Sequence, residues 1–424
     1  MIPPERPAPE PDVPRPDLPR PEVHAPGPDH AGDLADLPRV LARLVGSAPG
    51  PVVVVVGGVH GNEPAGLRAG RRVAEALAGA GADSASVPGL RGELWVLSGH
   101  RAALGQGARH LGRDLNRSFT AAEVARVAAQ PSARDDAEDA EQRDLLAAVA
   151  RAEDRAVALG GGLFLLDLHT TSAGGPPFAL MGDTLRNHAA VSGLPVPVIL
   201  GLEESIDGTL IEWAGERGHV GLTVESGQHR DPAAEDLHVA VIWLLLASLG
   251  ALAPEARVAA QTSAQLEAHA AALRAATGPV PPVLELVYRH GVRPEDGFRM
   301  RPDYRGFQPV RRGEHLADDV RGPVRARADG LILMPLYQAQ GSDGFFLVRP
   351  VGAARLRLAT AARRWGLHRA LPHLPGIAPH TALPEALTLA PWAERAGLPL
   401  LHLFGYRRRR VHGARAVFTR RRPP

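Results

Sequence analysis

Two residues near the start of this 424-residue chain are suited to holding a metal ion: His60 and Glu63, in the stretch VVVVVGGVHGNE. A neutral imidazole and a carboxylate on one turn are two of the three protein ligands that a catalytic zinc needs, the fourth position being left to water. The third ligand has to come from elsewhere in the chain, and His169, at the end of LFLLDLH and before the polar TTS, is the best candidate. Asp167 stands two residues earlier on the same strand face, where it can orient a ligand imidazole or equally hydrogen-bond a loop. Hydrolysis by such a centre also needs a base that takes a proton from water and returns it to a leaving amine. Glu225 fits that role, because it closes the apolar run GLTVE just before a turn, and a carboxylate at a buried strand end is costly unless it has a task or a partner. The segment RHLGRDLNRSF adds cations and an amide. Arg117 beside Asn116 offers a planar donor pair for a substrate carboxylate, and Arg109 is a candidate for stabilising an oxyanion, with Arg113 as a further helper.

These residues need elements that bring them together. Five consecutive valines, Val52–Val56, read as a strand buried on both faces, and Gly57-Gly58 lets the chain turn sharply at its end. Sites in open α/β sheets form at the carboxyl ends of strands, where His60 and His169 both fall. A helix is expected over Asp36–Val45 and another over Ala65–Ala78, then a strand over Gly92–Ser98 and a loop over Gly99–Phe119. Ala121–Leu159 reads as helical, with an exposed acidic break around Gln130–Glu141. Leu163–His169, Val196–Leu200 and Gly221–Glu225 are the remaining strands of this half, and Leu237–Leu252 is an apolar helix. Strands alternating with helices give an α/β fold with helices on both faces of a sheet.

The texture changes after an Ala-rich helix over Glu255–Ala276, which stops at Gly278-Pro279. The expected organisation is a Pro-rich, extended tail over 1–32, a catalytic domain over 33–278, a β-rich domain over 279–352, and a helical and basic extension over 353–424. The final RRRRVHGARAVFTRRRPP reads as a solvated tail.

Composition narrows the classes. Cysteine is absent, so thiolate metal sites and disulfides are excluded, and any zinc must be held by His and carboxylate. Every basic residue is Arg, and 48 of them nearly balance 46 acidic residues, which gives no global drive toward nucleic acid. The most apolar stretch, Val239–Ala253, is shorter than the roughly 20 residues that span a bilayer. The N-terminus lacks the apolar core of a secretory signal. A soluble, cytoplasmic protein without a membrane partner is the expectation, with an oligomer left open.

HGNE, DLNRSF, DLHTTS and VESG, in this order, resemble the succinylglutamate desuccinylase/aspartoacylase family, which is related to the zinc carboxypeptidases. The resemblance spans about residues 50–250 and, more weakly, 283–352, where GFQPVRRGEHLADD and ADGLILMP are similar to the family's β-rich C-terminal domain. It implies a zinc-carboxypeptidase-like mixed sheet flanked by helices. It also implies one Zn2+ per chain on His60, Glu63 and His169, with Glu225 as general base, Arg109 at the carbonyl, and Asn116 and Arg117 on the substrate carboxylate. The expected activity is cleavage of the amide bond of a small N-acyl amino acid. The alternatives are a metallocarboxypeptidase acting on peptides and a non-catalytic binding protein on a degenerate hydrolase fold. Near relatives of aspartoacylase add an Arg shortly before the base and a Tyr from the C-terminal domain; Arg217 lies near the first position out of register, and Tyr304 and Tyr337 match no motif.

Overall fold

The computed structural model describes residues 34, 36–79, 86–258, 260–338, 340–381, 383, 386–412 and 415–420. The N-terminal half supplies strands β1 (Val40–Gly57), β2 (Val87–Ser98), β3 (Leu163–Thr171), β4 (Phe178–Leu180), β5 (Val198–Leu200) and β6 (Val220–Gln228). Strands β7 (Val283–Gly291), β8 (Arg299–Met300), β9 (Pro309–Val310), β10 (His315–Asp319), β11 (Gly322–Arg325), β12 (Gly330–Leu333) and β13 (Asp343–Pro350) follow. The last four are β14 (Ile377–Pro379), β15 (Ala386–Leu389), β16 (Arg408–His412) and β17 (Arg415–Thr419). One mixed ten-stranded sheet runs β2-β1-β3-β6-β4-β5-β7-β13-β12-β9, beside a three-stranded sheet β11-β10-β8 and a four-stranded sheet β14-β15-β17-β16. Strands from beyond Gly278 thus extend the sheet that carries the valine run.

The valines explain why this sheet has two covered faces. All of Val52–Val56 have 0% exposure, with Val53 and Val55 entering one apolar cluster and Val52, Val54 and Val56 another. Each fully buried valine contributes about 1.5–3 kcal/mol of apolar transfer. One face is covered by α1 (Ala65–Gly79), whose Leu67, Val73 and Leu77 are buried. The α2 (Arg101–Gln106) and α3 (Ala121–Ala129) helices follow in sequence. The other face is covered by α4 (Ala137–Ala158), with Leu145 and Val149 at its centre. Helices α5 (Leu185–Val191) and α6 (Leu210–Glu216) lie between the later strands. The apolar α7 (Ala233–Ser248) packs with α1 on the first face, and α8 (Pro254–Val258) and α9 (Ala260–Thr277) close this half. The C-terminal stretch adds α10 (Ala353–Arg364) and α11 (Glu394–Leu403). No helix among the described residues is long and apolar enough to cross a membrane.

Three expectations are corrected. Residues 40–45 are strand rather than helix, because Val40 pairs with Leu97 and Val45 with Glu93, so pairing with β2 overrides the helical spacing of the apolar residues. The acidic stretch over 130–141 is not wholly an exposed break: from residue 137 it is the start of α4, where Glu138, Asp139 and Glu141 are buried because they hold backbone N–H groups and arginines. Within the basic C-terminus, residues 408–412 and 415–419 are paired strands, and Arg407 and Arg408 are engaged in buried ion pairs rather than solvated. The Pro-rich head, 1–32, lies outside the described residues.

Candidate active site

The chain leaves β1 through Gly58, at φ 73°, and His60 and Glu63 lie on the turn that follows. Gly61 sits so close to α2 that a Cβ there would lie 2.1 Å from the Ala103 carbonyl carbon, so only glycine allows this turn to seat. β3 runs parallel beside β1, and β6 runs parallel beside β3 with His169 opposite Glu225. Three strand ends therefore deliver His60, Glu63, His169 and Glu225 to one place.

The geometry there is convergent. Glu63 Oε1 lies 3.0 Å from His60 Nδ1, and Glu63 Oε2 lies 3.0 Å from His169 Nδ1. The two rings stand edge to face with centroids 4.8 Å apart. Each imidazole turns its other nitrogen to a carboxylate, His60 Nε2 to Asp114 Oδ1 at 3.1 Å and His169 Nε2 to Asp167 Oδ2 at 2.9 Å. That arrangement fixes ring orientation and leaves both Nδ1 atoms facing the same space. The ligating atoms of His60, Glu63 and His169 lie within 4.8 Å of one another, and among the described residues this is the group of His and carboxylate that could hold a metal ion.

Charge favours a cation in that space. Glu63, Asp114, Asp167 and Glu225 gather around two imidazoles and one guanidinium, Arg109. Burial pushes the Glu63 carboxyl up, but His60 and the hydrogen bond from His169 outweigh it and hold it well below the usual range. Burial likewise opposes Asp114, and His60 and Arg109 hold it well below its ordinary value. Burial works against charge on His169, yet Asp167 and Glu63 raise its proton affinity well above the usual value. The same negative surroundings that attract a proton attract a divalent ion. Glu225 is the exception: burial pushes its carboxyl up to about 8, and its Oε2 is buried without a protein partner.

The other expected residues are placed as follows. Arg109 reaches Glu63 Oε1 at 3.3 Å and Asp114 Oδ2 at 2.9 Å, and its Nε is buried without a partner. Asn116 accepts from Leu210 N–H at 2.9 Å and places Nδ2 3.4 Å from His169 Nε2. Arg117 donates to the Asn116 carbonyl at 2.9 Å and faces Asp343 at 3.4 Å, with its Nε buried and unpartnered. Arg113 is not at the site; it pairs with Asp136 and Asp139 on the side of α4. Arg217 pairs with Glu153 instead, and Tyr304 and Tyr337 bond within the strands after 278, to Glu314 and to the Arg301 carbonyl.

Several site neighbours went unread in the sequence. Asp114 lies inside RHLGRDLNRSF and is visible in hindsight as the partner of His60 Nε2. Glu138 accepts from Leu111 N–H, Gly112 N–H and His100 Nε2, pinning the loop that carries Arg109. His238, fully buried in α7, donates through Nε2 to the His169 carbonyl at 3.1 Å. From the far strands, Gln338 Oε1 accepts from Asn62 Nδ2 at 3.3 Å and His229 Nε2 at 3.2 Å, and Gly306 N–H donates to Gly174 O at 2.8 Å. Loops beyond residue 300 therefore border the site, a long-range closure with no local sequence signal.

A succinylglutamate desuccinylase/aspartoacylase from Rhodobacter sphaeroides is 19% identical, with a TM-score of 0.50 over 72% of this chain and 87% of that one, and shares the fold. A succinylglutamate desuccinylase from Vibrio cholerae is 17% identical, with a TM-score of 0.47 over 72% of this chain and 83% of that one. The product-bound ectoine utilization protein EutE (DoeB) from Ruegeria pomeroyi is 19% identical, with a TM-score of 0.47 over 72% and 86%. No curated protein matches the chain. Residues 49–249 match the model of the succinylglutamate desuccinylase/aspartoacylase catalytic domain, a span that holds all seven expected site residues and the strands that carry them. The sheet and the convergent ligands thus lie in a stretch, residues 49–249, that is similar to the succinylglutamate desuccinylase/aspartoacylase catalytic domain.

Proposed function

We propose that this chain is a zinc-dependent amidohydrolase that cleaves the amide bond of a small N-acyl amino acid. The observation that carries the reading is the register of His169 beside Glu225, which sets a buried carboxylate with an unpartnered Oε2 next to the His60–Glu63–His169 group. His60 Nδ1, His169 Nδ1 and the Glu63 carboxylate would hold one Zn2+. When bound, such an ion acts as a Lewis acid that acidifies water and polarises a carbonyl.

The chain's own groups do the rest. Glu225 in its ionised form, which a cation held by the neighbouring ligands would favour, accepts a proton from the attacking water at Oε2 and returns it to the departing amine. Arg109 Nε, buried and without a partner, donates to the oxygen on which negative charge develops. Arg117, with its own free Nε–H, and the Asn116 amide neutralise and orient the substrate carboxylate. Asp114 and Asp167 hold the two imidazoles by their Nε2 atoms. The Gln338 contacts to Asn62 and His229 bring the segment around residue 338 against the site, which supports a small substrate over a peptide.

The test pairs elemental analysis with turnover of a panel of N-acyl amino acids and C-terminal peptides. The expected result is about one zinc per chain, lost in His60→Ala/His169→Ala, and a rate that falls about 10²–10⁴-fold in Glu225→Gln while the metal stays. Undiminished hydrolysis by Glu225→Gln would overturn the mechanism. Faster cleavage of the peptides would transfer the reading to a carboxypeptidase. A folded wild type that takes up no metal when supplied with it would leave a binding protein.

A further inference from the structure

The C-terminal stretch after residue 352 lies outside the family match, yet it touches the machinery indirectly through one arginine. Arg408, on β16, is 13% exposed and faces three carboxylates. Its Nη2 pairs with Glu212 and Asp207, and its Nη1 lies 3.2 Å from Glu216. Glu212 is 4% exposed, and its second oxygen accepts the N–H of Gly208. The turn over 207–210, held in this way, runs directly against the DLNRSF segment. Leu210 N–H donates to Asn116 Oδ1 at 2.9 Å, and Phe119 N–H donates to Gly208 O at 3.0 Å. Gly208 packs so tightly there, at φ 78°, that a Cβ would lie 2.3 Å from the Arg117 carbonyl oxygen.

We propose that Arg408 is a positioning residue for the substrate clamp, acting through Glu212 and the 207–210 turn on Asn116 and Arg117. The physical reason is the cost of leaving a buried carboxylate without its cation. Without Arg408 the buried Glu212 carboxylate loses this cation, while the exposed Asp207 keeps Arg410 at 3.6 Å, and the cheapest relief is for the turn that carries Glu212's N–H partner Gly208 to move toward solvent. That movement withdraws Leu210 N–H from Asn116 and loosens the support behind Arg117. The role assigned to the clamp rests on the function proposed above; the mechanical coupling does not.

Arg409 provides a control on the same strand. It is half exposed and pairs with Glu394 at 2.8 Å, away from the turn. The experiment compares Arg408→Gln, Arg409→Gln and wild-type full-length chain, each reconstituted with zinc, by hydrogen exchange and by steady-state kinetics on the N-acyl amino acid best hydrolysed by the wild type. In Arg408→Gln, faster exchange is expected in 207–212 and also in 115–120, with KM raised about tenfold, kcat within about twofold and zinc content unchanged. Arg409→Gln should match wild type in all four. Arg408→Lys should restore part of the KM, since one ammonium can meet one of the carboxylates. Exchange changes confined to 408–412, or a KM equal to that of Arg409→Gln, would overturn the proposal, as would a parallel loss of zinc and kcat. If no N-acyl amino acid is turned over by wild type but exchange still spreads to 115–120, the coupling stands and the deacylase reading fails.

Discussion

His238 gives a sharp test of how the strand that carries His169 is supported. It is fully buried in α7, and its Nε2–H donates to the carbonyl of His169 while its Nδ1 has no partner. Burial pushes its imidazole down to about 3. In the unfolded chain a histidine titrates near ~6.5, so the unfolded state takes up a proton that the folded state refuses as pH falls below that value. The stabilisation is therefore fully present above about pH 6.5 and is lost progressively as pH falls toward 3. Over the whole window the loss is ~5 kcal/mol, and at pH 5 it is already ~2 kcal/mol, at about 1.4 kcal/mol per pH unit. His238→Gln keeps a donor for the His169 carbonyl without the titration. Urea unfolding of the metal-free protein at pH 8 and pH 5 should show wild type losing ~2 kcal/mol more than His238→Gln between the two. Parallel pH profiles for the two proteins would refute a neutral, dry His238, and an NMR titration midpoint near its ordinary value would do so directly.

Other residues make equally specific claims. Asp183, 1% exposed, accepts from both terminal nitrogens of Arg363 at 2.6 and 2.9 Å and pairs with Arg407 and His188. Asp183→Asn strands two guanidinium groups and should cost about 3–5 kcal/mol in denaturant unfolding, with a cost under about 1 kcal/mol counting against the buried network. Asp114→Asn removes the carboxylate behind His60 Nε2 and should weaken zinc affinity about 10–100-fold in a chelator competition, with the fold intact by circular dichroism. Glu138→Ala leaves the N–H groups of Leu111 and Gly112 and His100 without their acceptor, at a cost of about 1–3 kcal/mol, while Glu138→Gln, which keeps an oxygen in place, should recover most of it.

What could be read from the chain alone follows the range of the interactions involved. Val52–Val56 announce a central strand because burial on both faces demands an unbroken apolar run, and LFLLDLH does the same for β3. His60 and Glu63 are legible because three residues on one turn are enough to place them together. His169 needs only the step that neighbouring parallel strands bring their ends side by side. Asp343, which faces Arg117 from 226 positions away, has no local mark at all. The strand over residues 40–45 was hidden for the reverse reason, since its apolar spacing suits a helix and only the partner β2 decides the outcome. Arg407 and Arg408 look like tail charges in a run of four arginines, and their burial is set by Asp183 and Glu212, which lie about two hundred residues earlier.

The shared sheet has a mechanical consequence. β5 pairs in parallel with β7, Val198 opposite Val283 and Leu200 opposite Glu285, and β7 pairs in turn with β13. A swing of the far strands away from the catalytic strands would have to tear this ladder, at the expense of buried hydrogen bonds. The far side of the site is therefore anchored to the sheet, and what can shift there is confined to short segments such as 334–338, whose Gln338 reaches Asn62 and His229. Selection by an anchored rim works by size and by the polar groups it carries rather than by closure around the guest. Resculpting that rim should change which molecules reach the candidate site while leaving the sheet beneath it, and its stability, as they are.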